Sequence, residues 1–144
     1  MMNNDNSITL ETKLFGFIAE EAHSNRFSVS VNKLFKTNGV NAMVIPMNIR
    51  PDDLAFTISQ MRTSKLNGAV ISTEYQEEVF DLLDSRSSEV EDAGICDFIR
   101  IENGVLLGEL IMPVALEKFA ELYNEDIALQ SLCHYFYELT TGEK

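Results

Sequence analysis

The chain has 144 residues, of which 45% are hydrophobic and 24% are charged, and its formal net charge at neutral pH is −12. This length and composition predict one compact domain with a buried core. The acidic balance argues against a nucleic acid partner, because phosphate binding needs a concentrated basic surface. No apolar run is long enough to span a bilayer, and the polar start of the chain does not resemble a signal peptide. We therefore expect a cytoplasmic protein without a membrane partner.

Apolar stretches rich in Val, Ile and Phe alternate with amphipathic stretches in the first two thirds of the chain. The short apolar stretches predict buried strands at 13–19, 42–46 and 69–72. The amphipathic stretches predict helices at 27–37, 51–65, 74–83 and 88–93. Asn38-Gly39 is a helix-ending signal, and Pro51 followed by two acids favours the start of a helix. This alternation is typical of parallel strands joined by helices.

The last third of the chain predicts a hairpin followed by two helices. Strands at 98–101 and 105–108 flank Asn103-Gly104, which is a strong turn signal. Helices are expected at 113–123 and 126–139. The whole pattern predicts an α/β fold with a mostly parallel sheet of about six strands and helices on both faces. We expect one domain over residues 1–144, which begins with a polar N-terminal segment at 1–12.

Several short motifs resemble the substrate-binding lobe of the shikimate dehydrogenase family. They are Pro51-Asp52-Asp53-Leu54, Gly68 followed eight residues later by Gln76-Glu77, Leu83-Asp84, Gly94, and Asn103-Gly104-Val105-Leu106-Leu107-Gly108. The apolar stretch at 13–18 is similar to that family's first strand. The segment 126–142 resembles the family's C-terminal helix, which folds back onto the substrate lobe. The resemblance implies the α/β fold of that lobe for nearly the whole chain.

In that family a dinucleotide-binding domain separates the substrate lobe from the C-terminal helix. Its fingerprint is a Gly-x-Gly-x-x-Gly turn, and the glycines of this chain, at 16, 39, 68, 94, 104, 108 and 142, do not form one. We therefore expect the nucleotide domain to have been excised and no cofactor, NADP included, to be bound. A chain without the nicotinamide does not transfer a hydride by itself.

The resemblance also assigns the family's site residues to positions in this sequence. The serines that hold the substrate carboxylate fall at Asn25 and Phe27, the threonine at Ser72, the catalytic lysine at Gln76, the catalytic aspartate at Met112, the asparagine at Asp97, and the glutamine of the last helix at Leu132. Neither member of the proton-handling pair is therefore present. We therefore expect no catalytic residues for shikimate chemistry. Loss of even one such group lowers the rate by a factor on the order of 10²–10⁴.

The substitutions change the polarity of the expected pocket in one direction. Phe27, Met112 and Leu132 replace polar groups, and Asp97 adds a negative charge near the place of the substrate carboxylate. An anionic polyol should therefore bind poorly. Two outcomes stay open. Either these side chains fill the old pocket as ordinary core, which is the favoured interpretation, or the pocket accepts a more apolar, possibly uncharged ligand.

Other reactive side chains do not form a specific site. Adjacent helical positions point about 100° apart, so Cys133 and His134 are poorly placed as a nucleophile and its base. With two histidines and no Cys-x-x-Cys pair, the sequence predicts no metal site, and Cys96 and Cys133 are expected to be reduced thiols. Acids such as Glu74 flank Gln76 and could supply a new acid or base, although acids at a helix start usually serve its dipole.

The sequence thus predicts a pseudoenzyme related by resemblance to aromatic amino acid biosynthesis. We expect a non-catalytic module that binds a small molecule or has a regulatory or interaction role. The alternatives are an enzyme of altered chemistry that needs a separate NADP-binding subunit, and a structural subunit with a filled cleft. Loss of a domain would expose apolar surface, which predicts self-association through the last two helices. These helices carry Tyr123, Tyr135, Phe136 and Tyr137.

Overall fold

The computed structural model describes residues 11–142, in which a six-stranded sheet is covered by helices. Most of the expected polar segment at 1–12 lies outside the described residues. The strands are β1 (Lys13–Ala19), β2 (Ala42–Asn48), β3 (Gly68–Ile71), β4 (Ser85–Arg86), β5 (Phe98–Glu102) and β6 (Val105–Glu109). Their order across the sheet is β2-β1-β3-β5-β6-β4. Strand β1 is parallel to β2 and β3, and β4 is parallel to β6, whereas β5 is antiparallel to both of its neighbours. The predicted α/β fold with a mostly parallel sheet is confirmed.

Helices cover both faces of this sheet, as predicted. The α-helices are α1 (Phe27–Thr37), α2 (Leu54–Gln60), α3 (Ser88–Ala93), α4 (Met112–Phe119) and α5 (Ile127–Thr141). Helices α1 and α5 pack against one face, and α4 packs along α5. Helices α2 and α3 bury their apolar residues against the other face. Short 3₁₀ segments connect these elements, at Ala22–Ser24, Pro51–Asp53, Met61–Thr63, Thr73–Tyr75, Glu78–Leu82 and Ala120–Leu122.

The prediction of one continuous helix at 74–83 is wrong, because this segment consists of two 3₁₀ turns. The backbone carbonyl of Gln76 accepts a hydrogen bond from the N–H of Cys96, and the side-chain amide of Gln76 donates to the carbonyl of Ile71. The Gln76 carbonyl is thus paired with a residue 20 positions further along the chain and not with a helical neighbour. The predicted helix at 51–65 is similarly divided, since only Leu54–Gln60 is α-helical.

Alternating side chains of the central strands separate the core into two parts. Phe15 and Phe17 of β1 point to one face, and Ile18 points to the other. The first part, the aromatic core, comprises Phe15, Phe17, Ala19, Ala22, Phe27, Val31, Phe35, Val44, Val70, Phe98, Ile111, Cys133 and Phe136. The second part, the aliphatic core, comprises Ile18, Leu54, Ile58, Met61, Ala69, Ile71, Tyr75, Val79, Leu83, Val90, Cys96, Ile99 and Leu106.

The hairpin between β5 and β6 forms as the sequence predicts. Asn103 and Gly104 both have positive φ, at 53° and 77°. A two-residue turn of this kind matches the right-handed twist of the paired strands, and Asn-Gly is the pair that tolerates it best. The hairpin fixes the register in which Phe98 pairs with Glu109, which brings the start of β5 beside the end of β6.

Candidate functional site

A cavity of about 220 Å³ lies where β1 and β3 reach their carboxyl ends. Ligands of open α/β sheets commonly bind at this edge of the strands. The cavity is lined by Phe17, Asn25, Phe27, Val70, Ile71, Ser72, Thr73, Gln76, Asp97, Met112, Leu129 and Leu132. A cavity of this size suits a compact ligand.

The structure brings every sequence-predicted site position to this cavity. They are Asn25, Phe27, Ser72, Gln76, Asp97, Met112 and Leu132. The positions come from separate elements, and they meet because α1, β3, β5, α4 and α5 all converge at one end of the sheet. Sequence reasoning did not single out the other lining residues, which are Phe17, Val70, Ile71, Thr73 and Leu129. The helical spacing of Leu129 and Leu132 was the signal that could have added one of them.

The favoured expectation that apolar side chains fill the pocket as ordinary core holds for Phe27 but not for the whole pocket, because a cavity remains beside it. Phe27 is fully buried, and its ring packs against Phe17 and Phe136 with centroids 5.6 Å apart in each case. Met112 and Leu132 are half-buried and line the cavity.

Asp97 lies at the floor of the cavity and caps helix α4. It is only 4% exposed, and its two carboxylate oxygens accept hydrogen bonds from the backbone N–H groups of Ile111 at 2.7 Å and Met112 at 2.9 Å. Burial raises the pKa of Asp97 above its ordinary value, while these two N–H donors act to lower it. The sequence predicted a negative charge here but missed this capping role, because the helix begins 15 residues further along the chain.

Ser72 and Gln76 follow β3 and already have partners in the protein. The Ser72 hydroxyl donates to a carboxylate oxygen of Glu74 at 2.7 Å. The other oxygen of Glu74 accepts the backbone N–H of Glu20 at 2.8 Å, so Glu74 joins the ends of β1 and β3. Burial acts to raise the pKa of Glu74, but the hydrogen bonds from Glu20 and Ser72 outweigh it and hold that pKa below its ordinary value. Glu74 is therefore an ionised acceptor that orients Ser72.

The opposite rim of the cavity begins at Asn25, just before α1. The side-chain oxygen of Asn25 accepts the backbone N–H of Phe27 at 2.8 Å, so its amide nitrogen remains as a donor. Neighbouring Arg26 carries a positive charge, but it forms an ion pair with Asp126 at the start of α5. Among the described residues that line the cavity there is no Lys, Arg or His, and Asp97 is the ionisable one.

The two cysteines and His134 serve packing, whereas His23 is exposed. Burial raises the pKa of the Cys96 and Cys133 thiols to about 12, which leaves both unreactive at neutral pH. His134 stacks on Phe119, with centroids 3.7 Å apart, and its Nδ1 lies 2.8 Å from the Tyr123 hydroxyl. Cys133 is buried in the aromatic core, so the two adjacent residues have separate surroundings. Within residues 11–142 no cluster of three or more His, Cys, Asp or Glu side chains is arranged to hold a metal ion.

Comparison of the sequence with known proteins identifies the family of this chain. The sequence profile of the shikimate dehydrogenase substrate binding domain matches residues 18–99, which is more than half of the chain. The chain belongs to the shikimate dehydrogenase substrate-binding domain family. The recognition made from the motifs is thereby confirmed. The matched residues include the last two residues of β1, the strands β2 and β3, and all of the polar residues that line the cavity.

Curated members of the shikimate dehydrogenase family are similar along much of this chain. The shikimate dehydrogenase (NADP(+)) of Pyrococcus furiosus is 27% identical over 123 residues, which are 83% of this chain and 45% of that protein. The enzyme of the same name from Aquifex aeolicus is 26% identical over 101 residues, covering 70% of this chain and 38% of its own length. The chain thus spans less than half the length of these relatives.

Solved structures of shikimate dehydrogenases share the fold. The crystal structure of the Aquifex aeolicus enzyme superposes with a TM-score of 0.72 at 23% identity, over 81% of this chain and 44% of that one. The Listeria monocytogenes enzyme, solved in complex with shikimate and NAD, superposes with a TM-score of 0.72 at 20% identity, over 92% of this chain and 50% of that one. For residues 11–142, no helix has the length and hydropathy required to cross a bilayer.

Proposed function

We propose that this shikimate dehydrogenase-type domain binds a small molecule in the cavity without oxidising or reducing it. The observation that carries the proposal is the composition of the cavity wall. A concave site with several polar groups is retained, yet Asp97 is the ionisable side chain of its lining, and both Asp97 oxygens are bonded to the N-terminus of α4. A ligand can be held there, but the lining lacks the lysine and aspartate pair that the resemblance assigns to the family's reaction.

The family resemblance supports the non-catalytic part of this proposal. The resemblance assigns the proton-handling lysine and aspartate to Gln76 and Met112, whose side chains do not titrate. The Gln76 amide nitrogen donates to the Ile71 carbonyl and so serves the local fold. Hydride transfer to or from a substrate alcohol requires a proton to move as well, so a cavity with these residues does not complete the reaction of its relatives.

The lining of the cavity should also bind shikimate poorly, which is the ligand in the structure of the Listeria monocytogenes relative. Shikimate is a carboxylate, and none of the described residues that line this cavity is basic. Its hydroxyl groups would lose water beside Phe27, Met112 and Leu132 without gaining hydrogen-bond partners. We therefore expect shikimate to bind weakly and a more apolar compound to bind better.

A binding screen with two matched variants tests the proposal. A panel of small cyclic compounds, including shikimate, is titrated by two-dimensional NMR, and shifts at the amides of Ser72 and Gln76 report occupation of the cavity. Leu132→Trp places a larger side chain at the cavity wall and is expected to abolish binding. Leu139→Trp makes the same change on the same helix at a position that is 37% exposed and outside the cavity, and it should leave binding unchanged.

The same purified chain is assayed for shikimate oxidation with NADP⁺. No turnover is expected, and measurable turnover would overturn the non-catalytic part of the proposal. Turnover that begins when a separate NADP-binding protein is added would favour the alternative of an enzyme completed by another subunit. If no compound of the panel shifts the cavity amides, the binding part of the proposal is wrong.

Self-association through α4 and α5 remains a prediction. Phe136 is buried, and Tyr123, Tyr135 and Tyr137 are partly buried, so these aromatics contribute less exposed surface than the sequence suggested. Among the described residues, the exposed large apolar side chains on α5 or next to α4 are Leu122, at 65%, Ile127, at 41%, and Leu139, at 37%. Sedimentation of the wild-type chain and of Leu122→Ser at micromolar concentrations tests the prediction, which fails if the wild-type chain is strictly monomeric.

A further inference from the structure

We infer that the cavity selects a small ligand that carries a positively charged amine on an apolar body, and that Asp97 and Glu74 determine this preference. The inference rests on the proposed function, because it concerns the ligand of the same cavity. It adds the chemical class of that ligand and the residues that set the class. The geometry of the polar groups leads to it in three steps.

The first step is the remaining bonding capacity of Asp97. An ionised carboxylate offers about four acceptor positions, and the N–H groups of Ile111 and Met112 occupy two of them. The helix N-terminus that supplies these donors compensates only about half a charge. Asp97 is therefore a buried acceptor with negative charge left over, at the floor of an open cavity. The direction of its pKa shift, upward through burial, is consistent with incomplete compensation.

The second step is the orientation of the Ser72 hydroxyl. Its single proton is donated to Glu74, so Ser72 Oγ can only accept a hydrogen bond from a ligand. Glu74 keeps this role because the backbone N–H of Glu20 holds its second oxygen. Gln76 provides groups of both kinds, since its amide nitrogen donates one of its two protons to Ile71 and keeps the other beside the acceptor oxygen. Ser72, Gln76 and Asp97 thus provide acceptors around the same volume, in which the neutral amides of Asn25 and Gln76 are the side-chain donors described above.

The third step is the charge around the cavity. Within residues 11–142 no Lys, Arg or His belongs to its lining, and the net charge of the chain is −12. The ion pair with Asp126 already engages Arg26, the cation next to the rim in sequence. Acceptors without nearby cations favour a ligand that brings both donors and positive charge. Phe17, Phe27 and Leu132 contact the remainder of the ligand, which must therefore be apolar.

Three ring compounds that differ in one group test the preference. Cyclohexylmethylamine is cationic, cyclohexylmethanol is neutral and cyclohexanecarboxylate is anionic at neutral pH. Each is titrated into the wild-type chain, and the dissociation constant is taken from NMR shifts or calorimetry. We expect the amine to bind at least about tenfold more tightly than the carboxylate, a difference of about 1.4 kcal/mol, with the alcohol between them.

Three conservative variants assign the preference to residues. Asp97→Asn removes the lining charge and should weaken amine binding by about tenfold while changing alcohol binding much less. Glu74→Gln should weaken it by a smaller factor, because the new amide can donate to Ser72 and free the hydroxyl proton. Glu77→Gln removes the same formal charge from an exposed position outside the cavity lining and serves as the control, with a change below about twofold.

The outcomes separate this inference from the proposed function. Tighter binding of the carboxylate than of the amine, or equal binding of the amine and the alcohol, overturns the amine preference and leaves the binding module in place. Equal effects of Glu74→Gln and Glu77→Gln overturn the role of Glu74. If none of the three probes binds, the amine preference is also overturned, and the broader panel of cyclic compounds decides whether the cavity binds anything. If Asp97→Asn does not fold, the Glu74 and Glu77 variants still decide whether charge at the cavity sets the preference.

Discussion

The two faces of the sheet are packed in different ways, and the cavity belongs mainly to one of them. In the aromatic core, the ring of Phe136 meets the rings of Phe15, Phe27 and Phe98 nearly edge-on, at interplanar angles of 74° to 80°. The aliphatic core contains Tyr75 as its single aromatic ring and otherwise Ile, Leu, Val, Met, Ala and Cys side chains. Of the apolar residues of the cavity wall, Phe17, Phe27 and Val70 belong to the aromatic core, and Leu129 and Leu132 pack against it.

The cavity thus lies beside the aromatic core. Aromatic rings are large and prefer tilted or edge-on contacts, and the packed rings of Phe17 and Phe27 form part of the cavity wall. Ser72 and Gln76, which follow β3, contribute polar groups to the same wall.

The largest expected effect is loss of the ring at the centre of the aromatic core. Phe136→Ala should lower the free energy of unfolding by about 3–5 kcal/mol, because it removes a buried ring and its edge-on contacts. Leu139→Ala, at a position on the same helix that is about one third exposed, should change it by less than about 1 kcal/mol. Urea denaturation measures both. Ile58→Ala probes the aliphatic core, and a greater loss there than for Phe136→Ala would contradict the contrast.

The next largest effect is expected from Gly→Ala substitutions at two positions of the sheet, Gly68 and Gly16, whose neighbours differ in how easily they can move. A methyl group on Gly68 would lie 2.5 Å from the backbone oxygen of Ile99 and 2.9 Å from the ring of Phe98. A methyl group on Gly16 would lie 2.8 Å from the sulfur of Met47, which is the flexible part of its side chain. Gly68→Ala should therefore cost about 1–3 kcal/mol of stability and Gly16→Ala distinctly less. If thermal or urea unfolding gives the same loss of stability for both variants, the neighbours of Gly68 and Gly16 move equally easily and the prediction is wrong.

Local sequence signals were sufficient where neighbouring residues decide the structure. The bounds of β1, α1 and α3 agree with the prediction, because apolar periodicity and end signals are both present there. The two-residue strand β4 could not be predicted. It exists because the N–H groups of Asp84 and Ser87 bond to carbonyls of β6, and nothing in its own sequence indicates this. The 3₁₀ turns after β3 depend in the same way on Gln76 bonding to Cys96.

The site was predictable as a set of positions but not as an arrangement of hydrogen bonds. Converging strand and helix ends bring the assigned positions together once the fold is known. The direction of the Ser72 hydroxyl depends on Glu74, and the geometry of Glu74 depends on Glu20 at the end of another strand. The capping of α4 by Asp97 likewise joins distant residues. Bonds of this kind carry the chemistry of the cavity, and no short motif encodes them.

A smaller effect is expected from the cap of a helix on the aliphatic face. The Ser87 hydroxyl accepts the backbone N–H of Val90 at 3.2 Å and so caps α3. Ser87→Ala should cost about 1 kcal/mol, the usual value for loss of an N-cap hydroxyl. Ser88→Ala is the control, because Ser88 is exposed and lies within the helix. A greater loss for Ser88→Ala than for Ser87→Ala in urea unfolding would contradict this assignment.

The smallest effect concerns stability as a function of pH. Asp84 and Asp97 should contribute to it with opposite signs. Hydrogen bonds from the Arg62 side chain and from the N–H of Leu106 hold the pKa of Asp84 below its ordinary value. Its contribution to stability is therefore present above the unfolded pKa of about 4 and is lost as pH falls through the folded value. Burial raises the pKa of Asp97, so the contribution of Asp97 is full below about pH 4 and is lost as pH rises through its folded value.

Two amide variants make these opposite signs measurable. The stability at pH 7 minus the stability at pH 3 should shrink in Asp84→Asn and grow in Asp97→Asn, relative to the wild-type chain. Comparing the pH dependence rather than the absolute stability removes the constant cost of losing a hydrogen bond in either variant. A difference that moves in the same direction for both variants would mean that Asp97 is not destabilised by burial. The acid at the cavity floor would then be fully compensated by α4, and the cavity would lack the residual charge on which selection of an amine depends.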